Sequence, residues 1–82
     1  MHEKINQTID VEVIFLHNRV IPRSFSWQGV IYRIKTLGLR HDTYIGREKI
    51  HYFSVSDGVN FFRLRFSGDS LIWQLEEIYN DM

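Results

Sequence analysis

The sequence predicts an all-β domain: a small antiparallel barrel or strongly curled sheet of five or six strands, SH3-like in scale, closing on a three-stranded meander. Three observations carry that expectation. Apolar residues alternate with polar ones at period two in several runs, as in Ile9, Val11, Val13 and Phe15 around Asp10 and Glu12. Turn dipeptides, Gln28-Gly29, Asp57-Gly58 and Gly68-Asp69, fall between runs rich in aromatic and β-branched residues. No segment holds a sustained helical period.

Residues 1–8 read as a polar, frayed lead-in to a first strand that starts at Ile9. Ile14 and Leu16 break the alternation, which implies cover on both sides of that strand's end. His17-Asn18-Arg19 is a turn candidate, and Pro22, which has no N–H to give a ladder, marks a strand start or an edge. A hairpin about Gln28-Gly29 sets Trp27 opposite Val30 and Phe25 opposite Tyr32, so the aromatics share a face. Residues 38–47 contain two glycines and no alternation, and read as the longest loop.

The meander spans residues 49–75. Two-residue loops at Asp57-Gly58 and Gly68-Asp69 set Val55 opposite Asn60, Phe53 opposite Phe62 and His51 opposite Leu64. They also set Phe66 opposite Leu71, Leu64 opposite Trp73 and Phe62 opposite Leu75. Both hairpins bury the same face of the middle strand, and a one-residue slip in either would turn its apolar set to water. The opposite face then carries Ile50, Tyr52, Phe61, Arg63, Arg65 and Ile72, with Tyr52 facing Arg63. The tail extends the last strand to about Glu77. The expected core is Val11, Val13, Phe25, Trp27, Tyr32, Ile34, Phe53, Val55, Phe62, Leu64, Phe66, Trp73 and Leu75.

Eighty-two residues make one domain, 1–82, and 44% hydrophobic content supplies its core without staples. With no cysteine, disulfides, thiolate metal sites and thiol nucleophiles are excluded. No apolar run is long enough to span a membrane, and the N-terminus has no apolar signal core, so the expected location is the cytoplasm. Net charge is zero but uneven: residues 19–65 hold nine basic residues against three acidic ones, and both flanking segments are acidic.

Catalytic motifs are absent: no G-x-S-x-G elbow, no phosphate loop, no H-E-x-x-H. His41-Asp42 is the most chemical-looking pair, yet neighbouring loop residues are poorly placed to act together, and His51 reads as a rim histidine of the core. No catalytic residue, metal site or cofactor is expected. Tyr52, Phe61, Arg63 and Arg65 form the candidate contact strip, which Arg33 and Lys35 extend if their strand lies alongside. Aromatic residues and arginine anchor protein interfaces, so the expected function is a non-enzymatic binding module, a protein-interaction accessory or a homodimer. The same residues can stack bases and contact phosphates, which keeps a single-stranded nucleic-acid binder as the alternative.

Pro22, Phe25-x-Trp27-x-Gly29 and Tyr32-x-Ile34, followed by Phe62-x-Leu64-x-Phe66 and Trp73-x-Leu75, resemble a family of small bacterial domains of unknown function. The resemblance covers about residues 20–77. A tryptophan of that pattern is missing after the Tyr32-x-Ile34 strand, where Leu37 to Asp42 stand. Such domains are similar to ones associated with translesion DNA polymerases, so the resemblance implies a link to DNA repair or replication and assigns no active site.

Overall fold

The computed structural model describes residues 2–80. Seven strands form one antiparallel sheet: β1 His2–Leu16, β2 Arg19–Trp27, β3 Val30–Arg33, β4 Thr36–Ile45, β5 Glu48–Ser56, β6 Asn60–Ser67 and β7 Trp73–Asn80. Their order across the sheet is β3-β2-β1-β7-β6-β5-β4. The sheet curls over a core but does not close into a barrel, because its end strands β3 and β4 do not pair with each other. They are instead halves of one kinked path. At the kink Ile34 N–H donates to Arg23 in β2, and Lys35 N–H donates to Ser56 in β5. Successive N–H groups of an extended chain point to opposite sides, so this two-residue link is held from both ends of the sheet.

β1 organises the curl. Its first half pairs with β7 from His2↔Tyr79 to Ile9↔Trp73, and its second half pairs with β2 from Asp10↔Ser26 to Leu16↔Arg19. Fifteen residues of straight strand would run roughly 50 Å, but the molecule's longest dimension is 38 Å. The strand therefore bends, at register shifts between Lys4 and Gln7 and between Glu12 and Val13. Asn6, in the first shift, has a φ of 51°, a conformation asparagine tolerates better than most residues. The polar segment 2–8 is thus a paired strand and not a frayed lead-in, because it covers what would otherwise be the open edge of β7.

His17 and Asn18 both take positive φ, the two-residue turn whose twist suits a hairpin. Gln28 and Gly29 do the same, and Phe25↔Tyr32 and Trp27↔Val30 pair as their spacing predicts. Pro22 is buried inside β2, at the register shift opposite Val13. It needs no donor there, since the β2–β3 ladder begins only at Ser24 and the neighbouring acceptor is Arg23. Ile14, Phe15 and Leu16 are exposed, so the end of this hairpin is not covered on either side as the broken alternation implies.

Residues 38–47 depart furthest from expectation. Nearly all of this stretch is strand β4, paired with β5 from Thr36↔Ser56 to Ile45↔Glu48 and turned by Gly46-Arg47. A bulge between Leu37 and Arg40 interrupts the ladder. Gly38 fits it closely: a Cβ there would sit 3.1 Å from the Ser54 carbonyl oxygen.

The meander forms with Phe53, Val55, Phe62, Leu64, Phe66, Trp73 and Leu75 inward as predicted, but its register is displaced. Val55 pairs with Phe62 and Phe53 with Leu64, and across the next hairpin Phe66 pairs with Trp73 and Leu64 with Leu75. Each hairpin has slipped by two residues, which keeps these residues inward. The physical cause at the first turn is the Asp57 carboxylate, whose Oδ1 accepts the N–H of Val59 at 2.9 Å and of Asn60 at 2.7 Å. That side-chain turn holds a longer loop than Asp-Gly alone needs. At the second, Leu71 lies in the loop with φ 61° and donates its N–H to Ser67, which leaves its side chain exposed and not facing Phe66.

The core comprises Ile9, Phe25, Phe53, Val55, Phe62, Leu64, Phe66, Trp73 and Leu75, with Val11, Val13, Trp27, Tyr32 and Ile34 packed half-buried against it. Phe25 joins the two arms of the curl. Its ring is 5.2 Å from Tyr32 and edge-on to Phe62 at 4.9 Å. Ile50, expected on the outer face, is fully buried on its own, outside this cluster.

Candidate functional site

Tyr52 of the expected contact strip lies on β5 and Phe61, Arg63 and Arg65 on β6, and β4 adds residues beside them. On the outer face His41 of β4 pairs with Tyr52 of β5, Tyr52 with Arg65 of β6, and Ser54 with Arg63. Tyr52 is therefore opposite Arg65 and not Arg63. Arg63 nevertheless reaches it diagonally, with its guanidinium carbon 4.6 Å from the centre of the Tyr52 ring. Diagonal neighbours on one sheet face lie within reach of long side chains. The His41 ring lies 6.0 Å from the same tyrosine, nearly parallel to it. With Leu39 and Ser54 these residues line a shallow groove of about 320 Å³.

One acid beside this groove comes from a bulge. Arg63 pairs with Glu77 and Leu64 with Leu75, which leaves Glu76 as the extra residue of β7. A bulge re-aims the side chain it inserts, and here Glu76 Oε1 stands 3.2 Å from Arg63 Nε. The angle is too poor for a hydrogen bond, and among the described residues that buried N–H finds no partner. Arg65 donates to Gln74 Oε1 at 3.1 Å. Phe61, paired with Tyr79, is 52% exposed. Hydrogen bonds from Tyr79 and from His2 hold the Glu77 carboxyl below its ordinary range.

Arg33 and Lys35 do not join this group through the sheet. Arg33 lies in β3, with three strands between it and β6. Lys35 sits at the kink, its side chain against Gly58 in the turn before β6. On β1, β2 and β3, Asp10, Glu12, Ser24, Ser26 and Ile31 line a second groove of similar size, acidic where the first is arginine-bearing.

His41 and Asp42, adjacent in sequence, point to opposite faces because both belong to a strand. Asp42 turns inward, where His51 Nδ1 donates to its Oδ1 at 2.8 Å and Arg40 Nε approaches at 3.4 Å. Partial burial pushes the Asp42 carboxyl up, but the His51 hydrogen bond and the Arg40 charge outweigh it and hold it below the usual range. His51 stacks on Phe66 and its side chain is 12% exposed, a rim histidine as expected. The His51 imidazole is hydrogen-bonded to Asp42, while the nearby Ser67 hydroxyl donates to Glu48. Among the described residues no group of three histidines or acids is set to hold a metal ion. Among them, too, no helix is long and apolar enough to cross a membrane.

The structure brings Tyr52, Arg63 and Arg65 of the expected strip onto one outer face with Phe61 further along β6, and beside them it sets Leu39, His41 and Ser54, which sequence reasoning did not place there. The available signal was the hairpin turn at Gly46-Arg47, which converts 38–45 from loop to strand and sends His41 and Asp42 to separate faces. No family model, curated protein or solved structure matches this chain.

Proposed function

We propose that the chain is a non-enzymatic protein-binding module whose contact surface is the outer face of β4, β5 and β6, centred on the Leu39, His41, Tyr52, Ser54 and Arg63 groove and flanked by Phe61. The observation that carries this reading is the state of the arginines. Arg63 already covers the Tyr52 ring and faces Glu76, and Arg65 is bonded to Gln74. A base would have to displace Arg63 to stack on Tyr52, and a phosphate would meet Glu76 and Glu77 on the adjoining strand. A protein surface asks neither. Exposed Phe61 and Leu39 beside pre-positioned arginine give the aromatic, aliphatic and guanidinium mixture that anchors interfaces.

The test is selection of peptides from a display library on the immobilised protein, alongside titration with single-stranded DNA and RNA oligomers at about 50 and 200 mM salt. Selected peptides are expected to lose binding to Phe61→Ser, and because Phe61 is half exposed the melting temperature of this variant is expected to stay nearly unchanged. The oligomers are expected not to bind. Salt-sensitive oligomer binding that disappears in an Arg63→Ala/Arg65→Ala variant would overturn this reading and install the nucleic-acid one.

A further inference from the structure

We propose that β4 pairs, antiparallel and edge to edge, with β4 of a second copy of this chain, about a two-fold axis at His41. The proposal goes beyond the binding reading, since it needs no other partner and uses the strand's edge, not its face.

β4 is a ten-residue strand at the end of the sheet, with β5 as its one neighbour. Leu39 is 81% exposed and Tyr44 67%. A long strand with its backbone unpaired on one side is a template for another strand.

The turn fixes which backbone groups are free. In a two-residue hairpin the closing pair, here Ile45 and Glu48, exchanges both hydrogen bonds, and pairs alternate from there. Thr43 and His41 therefore direct their N–H and C=O groups to β5. Tyr44, Asp42 and Arg40 direct theirs outward. An antiparallel partner strand must present its own outward-facing residues opposite Arg40 and Asp42, which flank the axis.

Charge then selects one register. Symmetry about His41 sets Arg40 opposite Asp42 of the second copy, and Asp42 opposite its Arg40, so two hydrogen-bonded pairs join opposite charges on one face. Moving the partner by two residues in either direction sets Arg40 opposite Arg40, or Asp42 opposite Asp42. Like charges directly opposite are destabilising. In the selected register Leu39 faces Thr43 of the second copy on the outer face, and the two His41 side chains meet at the axis. The two grooves around Tyr52 then lie side by side.

Sedimentation velocity over a concentration series tests the pairing, with native mass spectrometry to identify the species. The wild-type chain is expected to show a concentration-dependent monomer–dimer equilibrium. Arg40→Asp and Asp42→Arg each make both cross-strand pairs repulsive and are expected to weaken it about tenfold or more. Mixed in equal amounts, the two variants restore complementarity and are expected to form a heterodimer. Asp42→Arg also removes the acceptor of His51, so melting curves accompany each variant. If it does not fold, Asp42→Asn keeps that acceptor, removes both ion pairs and is expected to weaken the dimer by a smaller factor. Phe61→Ser is expected to leave the dimer intact, which separates this proposal from the binding surface. A wild-type chain that stays monomeric, or folded charge variants that dimerise as well as wild type, or a folded mixture that gives no heterodimer, would each overturn the proposal.

Discussion

Phe25 is the residue on which the two arms of the sheet depend, since it is buried and touches the rings of Tyr32 in one arm and Phe62 in the other. Phe25→Ala is expected to cost about 3–5 kcal/mol, comparable to the whole stability of many small domains. Urea unfolding should accordingly find the variant largely unfolded before denaturant is added. Asp57 makes a second prediction. Partial burial raises its carboxyl, but the N–H groups of Asn60 and Val59 outweigh that and hold it below its ordinary value. A group depressed on folding stabilises the native state above its unfolded pKa, near 4, and loses that contribution as pH falls through the lower folded value. Asp57→Asn keeps the Oδ1 acceptor but cannot be protonated, so its melting temperature should fall less than wild type's between about pH 4 and 2. The same residue marks a limit of what the sequence discloses. Asp-Gly announces a turn, but whether a carboxylate will accept two N–H groups and lengthen it depends on geometry that the dipeptide does not encode.

Among the elements, β1 is the one whose extent the sequence hides. His2 to Thr8 carries no apolar alternation because one half of its work is done by backbone, capping the ladder edge of β7. Hydrogen exchange should therefore find these residues' paired amides protected to a degree approaching the meander, whereas a frayed segment would exchange at once. β4 is hidden for a related reason: an edge strand with a bulge and two mostly wet faces has nothing apolar to repeat. The meander is legible because Phe62, Leu64 and Phe66 are buried at every second position. Its register is not, since a displacement by two residues keeps all three inward and hydrophobic patterning cannot tell the alternatives apart. The same alternation predicts Ile50 outward, yet it is buried, beside Ser67 across the ladder. The contact strip was half legible. Its β5 and β6 residues follow from the meander, and its β4 residues had to wait for the turn at Gly46.

Taken as a whole the molecule is a curled sheet held at one kink, and that sets how it forms. β1 must find β7, nearly the full length of the chain away, and such non-local pairing delays folding to milliseconds or longer. Stopped-flow refolding followed by the fluorescence of buried Trp73 should give one exponential phase in that range; a microsecond phase carrying the full amplitude would contradict it. The pairing of β1 with β7 has a mechanical consequence as well. His2 lies directly opposite Tyr79, so a load applied through the two ends pulls across the ladder rather than along it. The hydrogen bonds then break one after another from the tips inward, as in a zip. A strand pair pulled lengthwise would have to lose them together, so this domain should yield to stretching at low force, peeling open at β1 and β7 while the Phe25 contacts still hold.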